Sequence, residues 1–200
     1  MNLWTIQPVK VYEIIQNTGV YRCDISQSMA MDIDCSEQYN WLVEAMKARI
    51  GNPPEGVSYP VWAWYMKDGV RKQPDLRKER WQNGRKGERY VCMEIDIPEE
   101  KFVLSDFDSW NDILLGGLLS DSEEEDNRLE QEYNSLPDKE RKAYRDKNWE
   151  RVFDLSYVDN DWVHRGDWIQ ATFWELRKED IQKVRFFTTA GPEPKHAHAG

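Results

Sequence analysis

Leu3-Trp4-Thr5-Ile6-Gln7-Pro8 has the short, aromatic and β-branched composition of a strand, and Pro8 then stands where a helix can begin without losing a backbone hydrogen bond. In the helix that follows, Val11, Ile14, Ile15 and Thr18 share one face, and Gly19 supplies a left-handed stop. Strands are also expected near the other end of the chain, at residues 168–176 and 184–187. Strands at both ends, with helices between, predict a single α+β domain over residues 1–190 with one mixed, aromatic-rich sheet, either continuous or split.

The intervening sequence fills this outline. Residues 20–23 read as a returning strand. A second helix is expected from about Asp34, which forms a capping-box pattern with Glu37, and Tyr39, Leu42, Val43, Met46 and Ile50 form its apolar stripe. Residues 57–66 alternate as an extended segment, with Trp62 and Trp64 on one face and Val61, Ala63 and Tyr65 on the other. Turn pairs at Asp68-Gly69, Gln73-Pro74 and Asn83-Gly84 make residues 67–87 a long surface loop. Residues 89–97 are the clearest strand and 102–104 a short one. Asp106 caps a helix carrying Phe107, Trp110, Ile113 and Leu114. A charged helical insertion occupies about residues 118–155, and residues 191–200 form a flexible tail.

Composition narrows the chemistry. The 200 residues include 10 Trp, too aromatic for a disordered chain, and 37 Asp and Glu against 27 Lys and Arg, a net charge of −10 that disfavours duplex nucleic acid as a partner. No apolar run spans a bilayer, and the N-terminus lacks the blocks of a signal peptide, so a cytoplasmic location is expected. Cys23, Cys35 and Cys92 are odd in number and widely spaced, as reduced thiols are. Of three histidines, His196 and His198 lie in the tail, leaving His164 in the body, which disfavours a His-rich zinc site or a Ser-His-Asp triad. No phosphate-binding P-loop or dinucleotide glycine turn is present. No metal ligands are expected.

Several islands are distinctive: residues 3–8, Tyr59-Pro60-Val61-Trp62-Ala63-Trp64-Tyr65, Leu104-Ser105-Asp106-Phe107-Asp108-Ser109-Trp110 and Gln170-Ala171-Thr172-Phe173-Trp174-Glu175-Leu176. On these residues the chain resembles an uncharacterised bacterial family, a domain of unknown function, over most of residues 3–187. The order of a first strand, a helix ending Thr18-Gly19, a Tyr- and Trp-rich central strand and a late strand ending in Glu also resembles the ADP-ribosyltransferase-type split-sheet fold. That resemblance implies an NAD-using transferase or a degenerate relative. It places Trp4 and Thr5 on the strand that holds the ribose, Tyr59 or Tyr65 at the nicotinamide-stacking position, Thr172 in the same cleft, and Gln170 and Glu175 on the catalytic late strand. Arg71 and Arg77 are the candidate pyrophosphate contacts, since guanidinium forks suit phosphate. The His or Arg usual on the first strand is replaced here by Trp4 beside Thr5.

Plainer readings stand beside these. Strand tryptophans favour packed sheet faces over ligand platforms. Glu175 faces either a cleft or solvent. Asp106 and Asp108 form either a carboxylate pair for a cation or an N-cap with a first-turn anion. His164 is a turn histidine or a general base, and Arg165-Gly166-Asp167 matches an adhesion tripeptide by chance. The basic stretch from Lys67 to Arg89, interleaved with Trp81 and Tyr90, suits single-stranded nucleic acid or a phosphate-bearing ligand, or else pairs with the acidic residues 121–126. The alternative function is therefore a non-catalytic interaction protein that uses the acidic insertion, as a nucleic-acid mimic would, or the basic loop.

Overall fold

The computed structural model describes residues 1–23 and 35–191. Asp34, and with it the expected capping box, lies outside the described residues, as do His196 and His198. The elements in order are β1 (Asn2–Pro8), α1 (Val9–Thr18), β2 (Val20–Arg22), α2 (Ser36–Ile50), β3 (Val61–Met66), α3 (Leu76–Gln82), β4 (Arg89–Asp96), β5 (Val103–Asp106), α4 (Phe107–Leu114), α5 (Glu123–Ser135), α6 (Asp138–Trp149), β6 (Val158–Asp159), β7 (His164–Arg165), β8 (Ile169–Phe173), β9 (Glu175–Arg177) and β10 (Ile181–Thr188). Helices and antiparallel strands in this mixture make the fold α+β. The chain divides into two compact units, the first formed by Met1–Tyr21, Lys72–Ile97 and Leu176–Gly200, the second by Arg22–Arg71 and Pro98–Glu175.

In the first unit β4 lies between β1 and β10, antiparallel to both, with Asn2 opposite Asp96, Pro8 opposite Tyr90 and Thr188 opposite Arg89. A strand flanked on both sides is the best shielded, and Val91, Cys92, Met93 and Ile95 are all buried. The first helix starts one residue later than its proline suggests: β1 runs through Pro8, which becomes the N-cap of α1. Val9, Val11 and Ile15 are the buried positions of α1, and the N–H of Gly19, at φ +84°, closes it on the Ile15 carbonyl at 2.9 Å. The expected loop at residues 67–87 contains α3. Asp75 caps it by accepting from the Arg77 N–H at 3.0 Å, and its Leu, Arg, Lys and Glu residues are good helix formers. Turn signals on either side concealed this short helix.

In the second unit β8 lies between β3 and β5, again antiparallel, with Val61 opposite Phe173 and Val103 opposite Thr172. The core gathers Trp41, Leu42 and Met46 of α2, Trp110 and Ile113 of α4, and Trp149 and Val152. Leu42, Met46, Ile113 and Trp149 are fully buried, each stabilising by about 1.5–3 kcal/mol or more through apolar burial. Trp149 crosses Trp41 at 5.4 Å between ring centres and donates its indole N–H to the Gly117 carbonyl at 2.8 Å. The charged helices α5 and α6 form a hairpin around Pro137, attached through Leu129 and Trp149 and otherwise largely solvated. The expected strand at 168–176 is broken at Trp174, whose indole donates to the Gly51 carbonyl at 3.0 Å. His164, expected in a turn, instead stands on β7 of the small β6–β7 hairpin, opposite Asp159.

Candidate functional site

Across β3, β8 and β5 the register aligns Trp64, Gln170 and Ser105 in one row, and Trp62, Thr172 and Val103 in the next. Residues two apart on a strand share a face, so both rows belong to the same side of these strands. Thr172 is fully buried and donates to the Val103 carbonyl at 3.4 Å, while Trp62 packs on Tyr39 and Trp110 beneath the helices. Thr172 thus has no surface to offer a ligand. The other row is less closed. Trp64 packs with Phe107 and Trp168, and the Lys67 ammonium lies 4.7 Å and 5.0 Å from the Trp64 and Trp168 rings. Ser105 Oγ and Gln170 Oε1 are buried there without hydrogen-bond partners among the described residues.

The remaining candidates of the second unit are held by other groups. The Glu175 side chain, 12% exposed, receives the Arg22 guanidinium at 3.2 Å. Its setting is an ion pair rather than an open carboxylate. Tyr65 lies under the Arg71 guanidinium, 4.2 Å from the ring centre. Tyr59 donates its hydroxyl to Asn40 Oδ1 at 3.2 Å and meets Tyr39 edge-on. Burial, with Cys35 and Cys23 adding to it, pushes the Tyr39 phenol up to about 12.

Trp4, Thr5 and Arg77 belong to the first unit. Trp4 and Thr5 are buried, and Thr5 Oγ1 accepts from Gln7 Nε2 at 2.9 Å. Arg77 is exposed but engaged, its guanidinium meeting Asp75 Oδ2 at 2.7 Å. The Arg77 side-chain hydrogen bond, with its backbone N–H, holds the Asp75 carboxyl down at about 2.

Charge divides sharply between the two units. In sequence, the first holds 13 Lys and Arg against 9 Asp and Glu, a balance of +4, and the second 14 against 28, a balance of −14. Many carboxylates of the second unit are paired within it. Glu125 meets Arg151 at 2.9 Å, Glu132 meets Arg128 at 2.9 Å, and Asp121 takes both Arg151 at 2.9 Å and the buried Arg165 at 3.0 Å. Arg165 is only 5% exposed, so the adhesion-like tripeptide is not displayed.

Around the start of α4 the pattern changes. Asp106 is the N-cap, accepting from Ser109 N–H at 2.9 Å and Gly166 N–H at 2.8 Å. Asp108 and Asp112, one turn apart, meet no Lys or Arg among the described residues. Lost hydration raises both carboxyls. The neighbouring charges of Asp106 and, for Asp112, of Asp108 and Asp126 raise them further. Asp112 and Asp126 open into a cleft of about 320 Å³ walled by Leu115, Leu118 and Trp162. Leu115 is 87% exposed and Trp162 46% exposed. The cleft is internally braced: the Trp162 indole N–H donates to Ser120 Oγ at 3.0 Å, and that hydroxyl donates to Asp126 Oδ1 at 3.0 Å. Beside it His164 is clamped by Asp159 at 3.3 Å and Asp167 at 3.2 Å, which raises its pKa, the Asp159 hydrogen bond foremost. No three His, Cys, Asp or Glu side chains among the described residues are grouped to hold a metal.

Asp112, Asp126 and Trp162 were not legible as a site. They come from α4, the start of α5 and the β6–β7 hairpin, and no spacing in the chain joins them. The one available signal was a carboxylate every fourth residue, Asp108 and Asp112, on a helix that contains no basic residue.

A family model described as a domain of unknown function (DUF3841) matches residues 2–182. No curated protein and no solved structure matches.

Proposed function

The chain belongs to the DUF3841 family, whose description assigns no activity, and from that premise we propose that it is a non-catalytic interaction protein whose acidic unit captures a basic macromolecular partner. The observation that supports this reading is the braced cleft in which Asp112 and Asp126 face an exposed Trp162 without a Lys or Arg partner among the described residues. An aromatic wall beside carboxylates attracts a cation twice over, through the ring face and through charge. Partly desolvated carboxylates strengthen that attraction because water screens them less. A lysine or arginine side chain fits both the volume and the chemistry. The balance of −14 around the cleft would steer a basic partner toward it.

The test is titration of a fluorescent Arg- and Lys-rich peptide against the wild type and the Asp112→Asn, Asp126→Asn and Trp162→Ala variants. Each substitution is expected to weaken binding roughly tenfold. Equal affinity in all four proteins would sink the proposal.

A second reading keeps the ADP-ribosyltransferase-like, NAD-using activity. The buried, unpartnered Gln170 Oε1 beside Trp64 favours it, since a polar atom waiting in an aromatic setting suits a ring amide. It requires Glu175 to exchange its bond with Arg22 for one to the substrate. A nicotinamide-release assay on the wild type and Glu175→Ala, with added protein acceptors, tests it: release that persists in the variant, or none in either, counts against it.

A further inference from the structure

The first unit carries a cleft of opposite character. Leu76, Arg77 and Arg80 of α3 and Phe186, Phe187 and Thr188 of β10 line an open surface cleft of about 290 Å³. Three features point to the same kind of ligand. Phe186 is 51% exposed, an unusual placement for a ring, and is held edge-on against Tyr12 at 5.5 Å. Trp81 is likewise exposed on α3, with the Arg80 guanidinium 5.8 Å from its ring. The flanking chain is basic, with Arg89 opposite Thr188 in the strand register and Lys78 exposed on α3. Arg77 is oriented but partly neutralised by Asp75, whereas Arg80 makes no ion pair among the described residues.

Exposed rings alternating with guanidinium groups are the arrangement that stacks a base and holds its phosphate. The volume accommodates one nucleotide and not the width of a duplex. A duplex would also present its bases already stacked, leaving Phe186 nothing to contact.

We infer that the α3–β10 cleft seats one nucleotide of a single-stranded nucleic acid, with the base on Phe186 and the phosphate on Arg80. Arg89 continues the cationic track along the strand. This inference is independent of the basic partner assigned to the acidic cleft, which lies in the other unit.

Fluorescence anisotropy with a short labelled oligodeoxythymidine at about 50 mM salt tests it. Binding is expected and should weaken steadily as salt is raised. Phe186→Ala and Arg80→Glu should each lower affinity at least roughly fivefold, with circular dichroism confirming the fold of each. Lys139→Glu makes the same charge change as Arg80→Glu on an exposed side chain of α6 and should leave affinity unchanged. The inference is overturned by absence of binding, by equal losses in Arg80→Glu and Lys139→Glu, by stronger binding of a duplex of the same length, or by a free mononucleotide that competes as well as the strand.

Discussion

The Asp106 carboxylate accepts the Gly166 backbone N–H at 2.8 Å, across 60 residues of sequence, while its other oxygen caps α4 at Ser109. One fully buried side chain thereby fixes both the start of α4 and the loop leading into β8. Asp106→Ala removes a cap and strands a buried N–H, and should cost about 2–4 kcal/mol. Gly166 is equally constrained. It sits at φ +93°, and an added Cβ would lie 2.7 Å from the Tyr157 Cα and 3.0 Å from the Ser156 carbonyl. Gly166→Ala should therefore destabilise by more than about 1 kcal/mol, because backbone rather than a mobile side chain must give way. Urea unfolding followed by tryptophan fluorescence measures both. A change within error for either variant would refute the linkage.

Trp149 joins the charged helices to the core through ring contact with Trp41 and the indole bond to Gly117. Trp149→Ala should cost about 3–5 kcal/mol by opening a cavity. Trp149→Phe keeps most of the volume and loses the hydrogen bond, and should cost closer to 1–2 kcal/mol. Chemical denaturation of the pair separates packing from polarity: equal losses would show that the Gly117 bond dominates.

His164 is exposed between two carboxylates, with its pKa raised chiefly by the Asp159 hydrogen bond. A folded-state pKa above the unfolded one means that the charged form favours folding. The contribution is complete below the unfolded value of about 6.5 and disappears as pH rises through the higher folded value. NMR titration of the imidazole should find it above the ordinary histidine range and should find it lowered in Asp159→Asn. A value at or below the ordinary range would contradict the clamp.

The sheet and its flanking helices were readable because their determinants are local. The alternation from Val57 to Met66 correctly divided Trp62 and Trp64 from Val61 and Ala63, and the apolar stripe on α2 named Leu42, Val43 and Met46, all of which are buried. Helix α3 was missed because seven residues between turn signals carry no hydrophobic period, and its stability comes from the Asp75 cap. Trp81 accordingly stands on a helix and not in the expected loop. Ligand roles were harder still. Thr5 and Thr172 look alike in sequence to any exposed strand threonine, and only burial by neighbours distant in the chain removes them from solvent. The Arg22–Glu175 pair spans 153 residues, and no local pattern could have joined the two. The acidic cleft is assembled in the same way from distant segments, and only the Asp108 and Asp112 spacing on α4 hinted at it.

Asp112 offers a prediction in which stability and binding move in opposite directions. Its carboxyl is raised by lost hydration and by Asp108, Asp106 and Asp126. A raised folded-state pKa for an acid means that the ionised form disfavours folding, an effect felt at neutral pH and relieved as pH falls through the folded value. Asp112→Asn should therefore leave stability unchanged or raise it by up to about 0.5 kcal/mol at pH 7, as for other surface changes, and should lose that advantage in acid. A carboxylate kept only for structure would show the reverse, with destabilisation on removal. Thermal melts at neutral and acidic pH, taken beside the basic-peptide titration, make the comparison. Asp112→Asn that melts lower than the wild type at pH 7 while binding the peptide equally well would assign this residue to the fold and remove it from the cleft's chemistry.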